Sequence, residues 1–124
     1  AVVNGDSPAN DVQSLRRLCT MSPVALRVAS EYVNIADKYA RDNHLGMCRI
    51  VPTWGASEAF LPEDADMLID NAQTGRTLEQ HQLKILDVLF QSSACLIASK
   101  NSLASSSKKG KIRFLTQKLR AGLK

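Results

Sequence analysis

The chain is predicted to fold as an α/β domain, with a mixed, mostly parallel sheet, helices on both faces, and a further helix at the C-terminus. Three observations predict it. Short apolar runs rich in Val, Ile and Leu alternate, up to about residue 100, with stretches whose apolar residues recur at three- and four-residue spacing, so strand and helix periods follow one another. With 124 residues and 44% hydrophobic content, the chain can bury one modest core and has no room for two full domains. No run of about twenty apolar residues and no charged-then-apolar leader occurs, so neither a membrane span nor a secretion signal is expected and the chain reads as soluble.

The elements follow in order. Residues 1–4 read as an opening strand. Asp11 is placed to cap a helix over 12–21, whose Val12, Leu15, Leu18 and Cys19 make one apolar face, and Pro23 ends that region. Residues 26–31 read as a strand. Asn34, with Asp37 three residues on, resembles a capping box opening a helix through about 43, and Gly46 stops it. A strand over 47–51, a loop over 52–55, a short helix capped by Ser57 and running to about 61, and a strand over 67–70 come next. A short helix over 77–81 and strands over 84–91 and 94–99 complete the alternation. Residues 101–107 read as a serine-rich linker before the final helix. The predicted division is therefore 1–100 as the α/β lobe and 101–124 as linker plus basic amphipathic helix. No internal repeat is visible.

The most informative stretch is Asp70-Asn71-Ala72-Gln73-Thr74-Gly75-Arg76-Thr77-Leu78. It closes an apolar strand with a carboxylate and opens a helix with a hydroxyl-rich turn. A helix start leaves backbone N–H groups without intrahelical partners and carries partial positive charge, so an anion can bind there without a cationic side chain. Gly75 permits a tight turn and close approach of the backbone to a ligand, while Thr74 and Thr77 add hydroxyl donors. Asp70, one turn away, is suited to sugar hydroxyls rather than to phosphate. A plain turn and cap would also satisfy these residues, with Asp70 merely ending its strand. In α/β sheets ligands bind at the C-terminal ends of strands, where this stretch lies.

The run Ala65-Asp66-Met67-Leu68-Ile69-Asp70, continued by Thr74-Gly75-Arg76-Thr77-Leu78 and Ser93-Ala94-Cys95-Leu96-Ile97, resembles the phosphoribosyl-pyrophosphate-binding segment of ATP phosphoribosyltransferase, which starts histidine biosynthesis. Arg27-Val28-Ala29-Ser30-Glu31-Tyr32 resembles that family's entry to its second domain, and Gly55-Ala56-Ser57-Glu58 its glycine turn and acidic residue. Residues 2–18, with Asp6-Ser7-Pro8 and Ser14-Leu15, are similar to the interdomain strand and the helix after it. Between Glu58 and Ala65 the chain is one residue shorter than the family spacing, Glu63 or Asp64 stands where glycine is usual, and Asn71 replaces an aliphatic residue.

The resemblance implies one lobe of a periplasmic-binding-protein-like architecture, with residues 1–4 and 94–99 crossing between lobes and the final helix belonging to the other lobe. It implies a glycosyltransferase whose substrates are phosphoribosyl pyrophosphate and ATP, with Mg²⁺ carried by the substrate pyrophosphate. Thr74, Gly75, Arg76 and Thr77 would hold the 5′-phosphate, and Asp70 would serve both as catalytic residue and as ligand to the ribose hydroxyls. Glu58 is a candidate contact that a helix-dipole role also explains. An N-terminal half-domain would be missing, so the piece is expected to be inactive alone; the full-length enzyme is expected to be a homo-oligomer and to work in the cytoplasm, or in the plastid stroma if a transit peptide has been removed. A non-catalytic anion-binding or interaction module of the same architecture is the alternative.

The remaining features point away from other classes. Cys19, Cys48 and Cys95 are an odd count with no Cys-x-x-Cys spacing, as expected of buried free thiols in a reducing compartment. His44 and His81 lack ligand spacing, and no metal site is proposed. Trp54 and Tyr32 are expected to be core or cleft-wall aromatics. Seven of the sixteen basic residues lie in 108–124 with no acid among them, leaving nine bases against twelve acids elsewhere. The basic character thus belongs to the tail. There Ile112, Leu115, Leu119 and Leu123 recur near helical spacing, which favours a docked amphipathic helix with a solvated basic face over nucleic-acid binding.

Overall fold

The computed structural model of the chain describes residues 1–72 and 75–123, and Thr74 of the predicted phosphate loop lies outside the described residues. Contacts divide the chain into two compact units, Ala1–Phe90 and Gln91–Lys124. The first holds a five-stranded mixed sheet of β1 (Val2–Asn4), β2 (Leu26–Ser30), β3 (Cys48–Pro52), β4 (Met67–Leu68) and β5 (Leu83–Ile85), in the order β3-β2-β4-β1-β5. β2 runs parallel to β3 and β4, whereas β1 is antiparallel to β4 and β5. Four strands therefore point one way and β1 runs against them.

Strand alternation sorts the core onto two faces. On one face Val3, Val28, Met67 and Ile69 meet Leu15 of helix α1 (Val12–Met21) and Ala36, Tyr39 and Ala40 of helix α2 (Val33–Asp42). On the other, Val2, Ala29 and Leu68 pack with Leu61 and Ala65 and with the partly buried Phe60, Leu78 and Leu83. The cover on that second face comes from a short 3-10 helix (Ser57–Phe60), the turn after it, and helix α3 (Arg76–Gln80).

Local chemistry explains most boundaries. Asp11 caps α1 as expected: its carboxylate accepts from Ser14 N at 2.6 Å while the Ser14 hydroxyl accepts from Asp11 N at 3.0 Å, a reciprocal capping box. The start of α2 differs from the expected one. Its cap is Tyr32, no side chain caps it, and Asp37 instead pairs with Arg41 one turn on. The helix stops at a Schellman motif centred on His44, with His44 N donating to Arg41 O and Leu45 N to Ala40 O, each at 3.0 Å. His44 takes the left-handed conformation (φ 53°) and Leu45 is fully buried. Gly46 comes two residues too late to be the stop.

Three further expectations are corrected. Ser57 caps nothing: Ala56, in the left-handed region, precedes the 3-10 helix, and the Ser57 hydroxyl is buried against Thr53. The strand expected over 84–91 is only Leu83–Ile85, and 94–99 forms no strand; Leu96 and Ile97 are exposed there, and an apolar run without a neighbouring edge to pair with gains nothing from extending. In the second unit, the segment expected to be a serine-rich linker is helical apart from Ser105. Ser99 accepts from Ser102 N at the start of helix α4 (Lys100–Ala104), and Ser105 precedes helix α5 (Ser106–Gly122). No described helix is long and apolar enough to cross a membrane.

Candidate functional site

The C-terminal ends of β2, β3 and β4 lie at one edge of the sheet, and each continues into a turn fixed by a polar group. After β4, Ile69 N donates to Ala29 O at 3.0 Å, and Asp70 then turns the chain by accepting from Asn71 N at 2.7 Å. That bond occupies one carboxylate oxygen of Asp70, which is half-buried. After β3, Thr53 N donates to Ser30 O at 3.1 Å and the Thr53 and Ser57 hydroxyls bond at 2.9 Å, both side chains being buried. The turn between them includes Gly55 at φ 89°, whose N–H donates to the Glu31 carboxylate. After β2, Ser30 is fully buried, and its hydroxyl donates to Ile69 O at 2.6 Å while accepting from Tyr32 N at 2.9 Å.

The turn after β4, the start of α3 and Glu58 of the 3-10 helix border a cleft of about 280 Å³. Val2 and Leu68, paired across β1 and β4, give it an apolar base, with Leu78 from α3 beside them. Its polar lining is Glu58, Asp70, Asn71 and Thr77, with Gly75 contributing backbone. Of the sequence-predicted residues, the fold therefore brings Glu58, Asp70, Gly75 and Thr77 to one cavity, from segments separated by up to nineteen positions. Arg76 is exposed and does not line it.

Gly75 has φ 73°, the left-handed region that favours glycine, and precedes α3. A Cβ there would meet no atom within 4 Å, so what the glycine supplies is backbone conformation and open access, not relief of a crowded contact. No acceptor among the described residues meets the amides of Gly75, Arg76 and Thr77, as expected for the first N–H groups of a helix. Glu58, in the first turn of the 3-10 helix, places a second carboxylate on the same cleft as Asp70.

Trp54 and Tyr32 are neither core nor cleft wall. Trp54 is 89% exposed and Tyr32 42% exposed, and neither lines the cleft. Cys19 and Cys48 are half-buried, with burial raising both thiols, but Cys95 is exposed, contrary to the expectation for it. Among the described residues no group of three metal-ligating side chains is present. Sequence reading missed Ser30, Thr53 and Ser57 as a set. The available signal was a hydroxyl ending each of two apolar strands, which costs energy unless the hydroxyl is bonded.

Comparison with known proteins bears on this geometry. The family model described as HisG: ATP phosphoribosyltransferase matches residues 1–121. The chain is 34% identical over 96 residues to the ATP phosphoribosyltransferase of Prosthecochloris aestuarii, covering 77% of this chain and 32% of that protein. It is 32% identical over 102 residues to that of Brucella suis, covering 79% and 42%. With that of Thermodesulfovibrio yellowstonii the identity is 27% over 118 residues, covering 95% and 37%. The chain thus spans between about a third and two fifths of the length of these curated relatives. A match running from the first residue through β1–β5 and into α5 is far more than a loop motif, and on it the chain belongs to the ATP phosphoribosyltransferase family.

Proposed function

We propose that this chain is the phosphoribosyl-pyrophosphate-binding lobe of an ATP phosphoribosyltransferase, of periplasmic-binding-protein-like architecture, which catalyses the first step of histidine biosynthesis once joined to the rest of its enzyme. The observation that carries the reading is the cleft, where Asp70, Glu58, Thr77 and the left-handed Gly75 converge at the C-terminal edge of the sheet of a family member. The 5′-phosphate would sit against the main chain of 74–77, taking hydrogen bonds from the amides and from the Thr77 hydroxyl. Thr74 would add a second hydroxyl, and Arg76 has a solvent-facing position from which only long-range attraction is expected.

In the transfer, adenine N1 of ATP bonds to C1 of the ribose as the bond from C1 to pyrophosphate breaks, and positive charge develops on the sugar. Asp70 suits both demands made on the residue beneath that carbon. Its free oxygen accepts from ribose hydroxyls, and its charge steadies the developing cation in a cleft that excludes part of the solvent. Glu58 faces the same cleft and would bound the sugar from the other side. Mg²⁺ would arrive on the substrate pyrophosphate and needs no protein cage here. The ATP side belongs to parts of the enzyme outside this chain, so the lobe binds but does not turn over by itself, and oligomerisation is a property of the full-length protein.

Titration of the chain with phosphoribosyl pyrophosphate and Mg²⁺, followed by amide shifts, tests this. Saturable shifts at Gly75, Arg76 and Thr77 are expected, lost in Gly75→Val, whose side chain blocks backbone approach and strains a residue at φ 73°. Asp70→Asn keeps the shape and should weaken ribose 5-phosphate about ten- to a hundredfold, while leaving inorganic phosphate nearly unaffected. Equal response to inorganic phosphate and to the sugar phosphates would instead favour a non-catalytic anion-binding module.

A further inference from the structure

We infer that Ser30 is a positioning residue for the cleft, acting through the Ile69 peptide on Asp70. This rests on the reading of Asp70 as the sugar-binding carboxylate. The backbone ladder between β2 and β4 has its last rung at Ile69 N to Ala29 O. Where one more rung would fall, a side chain makes it: the Ser30 hydroxyl donates to Ile69 O at 2.6 Å. The same hydroxyl accepts from Tyr32 N at 2.9 Å, so both of its capacities are committed, and the residue is fully buried.

The consequence is geometric. A side-chain rung lets β2 leave the sheet toward α2 while β4 stays in line for one more residue, so the two strands part without leaving the Ile69 carbonyl unbonded in the interior. The carbonyl held in this way belongs to the peptide that leads into Asp70. With the Ile69 carbonyl before it fixed by Ser30 and its own carboxylate tied to Asn71 N at 2.7 Å, Asp70 is held from both sides on the cleft lining. Glu58 directly follows Ser57, whose buried hydroxyl bonds that of Thr53 at 2.9 Å, so a buried hydroxyl also anchors the residue before the second carboxylate. The residue before each cleft carboxylate is thus anchored by a buried hydroxyl, Ser30 bonding Ile69 and Thr53 bonding Ser57.

The test uses the chain as it stands, with Ser30→Ala, Ser30→Thr and, as a control of similar structural weight, Arg27→Ala, which breaks side-chain contacts at the opposite end of the same two strands. Amide hydrogen exchange is read first. In Ser30→Ala the Asn71 amide is expected to exchange at least tenfold faster relative to core amides, whereas Arg27→Ala should speed all of them by one common factor. Ligand affinity is read second. Ser30→Ala should weaken ribose 5-phosphate tenfold or more, Ser30→Thr should stay within about threefold of wild type, and in an Asp70→Asn background Ser30→Ala should cause no further loss. A uniform change in exchange for Ser30→Ala, or full additivity with Asp70→Asn, overturns the inference. If wild-type chain fails to bind any sugar phosphate, the functional reading falls, and the exchange comparison still decides whether Ser30 holds Asp70.

Discussion

His44 carries a conformation that its side chain does not favour. It occupies the left-handed position that closes α2, where a residue with a Cβ is strained, and the Schellman bonds around it are already in place. His44→Gly should therefore stabilise the chain by about 0.5–1 kcal/mol, visible as a rise of a few degrees in Tm. Gly5 shows the opposite case. Its N–H donates to Gln82 O at 2.8 Å, and a Cβ there would stand 2.7 Å from that same oxygen, a backbone atom that cannot swing aside. Gly5→Ala is expected to cost about 1–3 kcal/mol, measured by denaturant unfolding, because either the β1–β5 connection shifts or the hydrogen bond breaks. The two positions were not equally legible. Gly46 advertised a helix stop in the sequence, yet the stop is made by a histidine, since backbone hydrogen bonds and the buried Leu45 outweigh the preference for glycine.

The ends of the strands divide labour at the scale of elements. At the N-terminal end of β2 and β4, Arg27 clamps Asp66 through two side-chain hydrogen bonds, at 2.8 and 3.2 Å, and reaches Glu63 O and Pro62 O. Burial pushes the Asp66 carboxyl upward, but the hydrogen bonds and charge of Arg27 outweigh it and hold the group below the ordinary carboxylate range. A folded-state value below the unfolded one contributes stability above pH about 4, which disappears as the pH falls through the depressed value. Asp66→Asn should lower stability at neutral pH by less than about 1 kcal/mol, since both side chains are more than a third exposed, and the gap to wild type should close on acidification. A gap that widens in acid would contradict this assignment. At the C-terminal end the same strands carry the cleft. The sequence made Asp70, Gly75 and Thr77 legible because one contiguous stretch holds the strand end, the turn and the helix start. Ser30 was hidden because its partner Ile69 lies across the sheet, 39 residues away, and no local pattern encodes that distance, while Thr53 and Ser57 bond each other across an irregular turn that has no periodic signature. The lost strand at 94–99 has a related cause, for its apolar residues satisfy β-propensity while pairing depends on an edge that a local window cannot see.

At the scale of the whole molecule, stability is concentrated in one unit. Both core clusters draw on residues no later than Leu89, so the sheet and its covering helices are complete within Ala1–Phe90. α5 has the contrary character. None of its residues is buried, and Phe114, Leu115 and Leu119 are each 56% exposed. A helix of seventeen residues with no buried face must rely on propensity and on weak side-chain pairs such as Lys118 over the Phe114 ring at 5.7 Å, and such helices are marginal in water. Amide exchange on the intact chain is therefore expected to separate the two units by orders of magnitude, with Val28 and Leu68 amides opening only through global unfolding and those of 108–120 exchanging through local fraying. The difference should persist on dilution. Protection of 108–120 equal to that of the sheet would mean that the exposed Phe114, Leu115 and Leu119 are covered in solution, and its loss on dilution would identify the cover as a second copy of the chain.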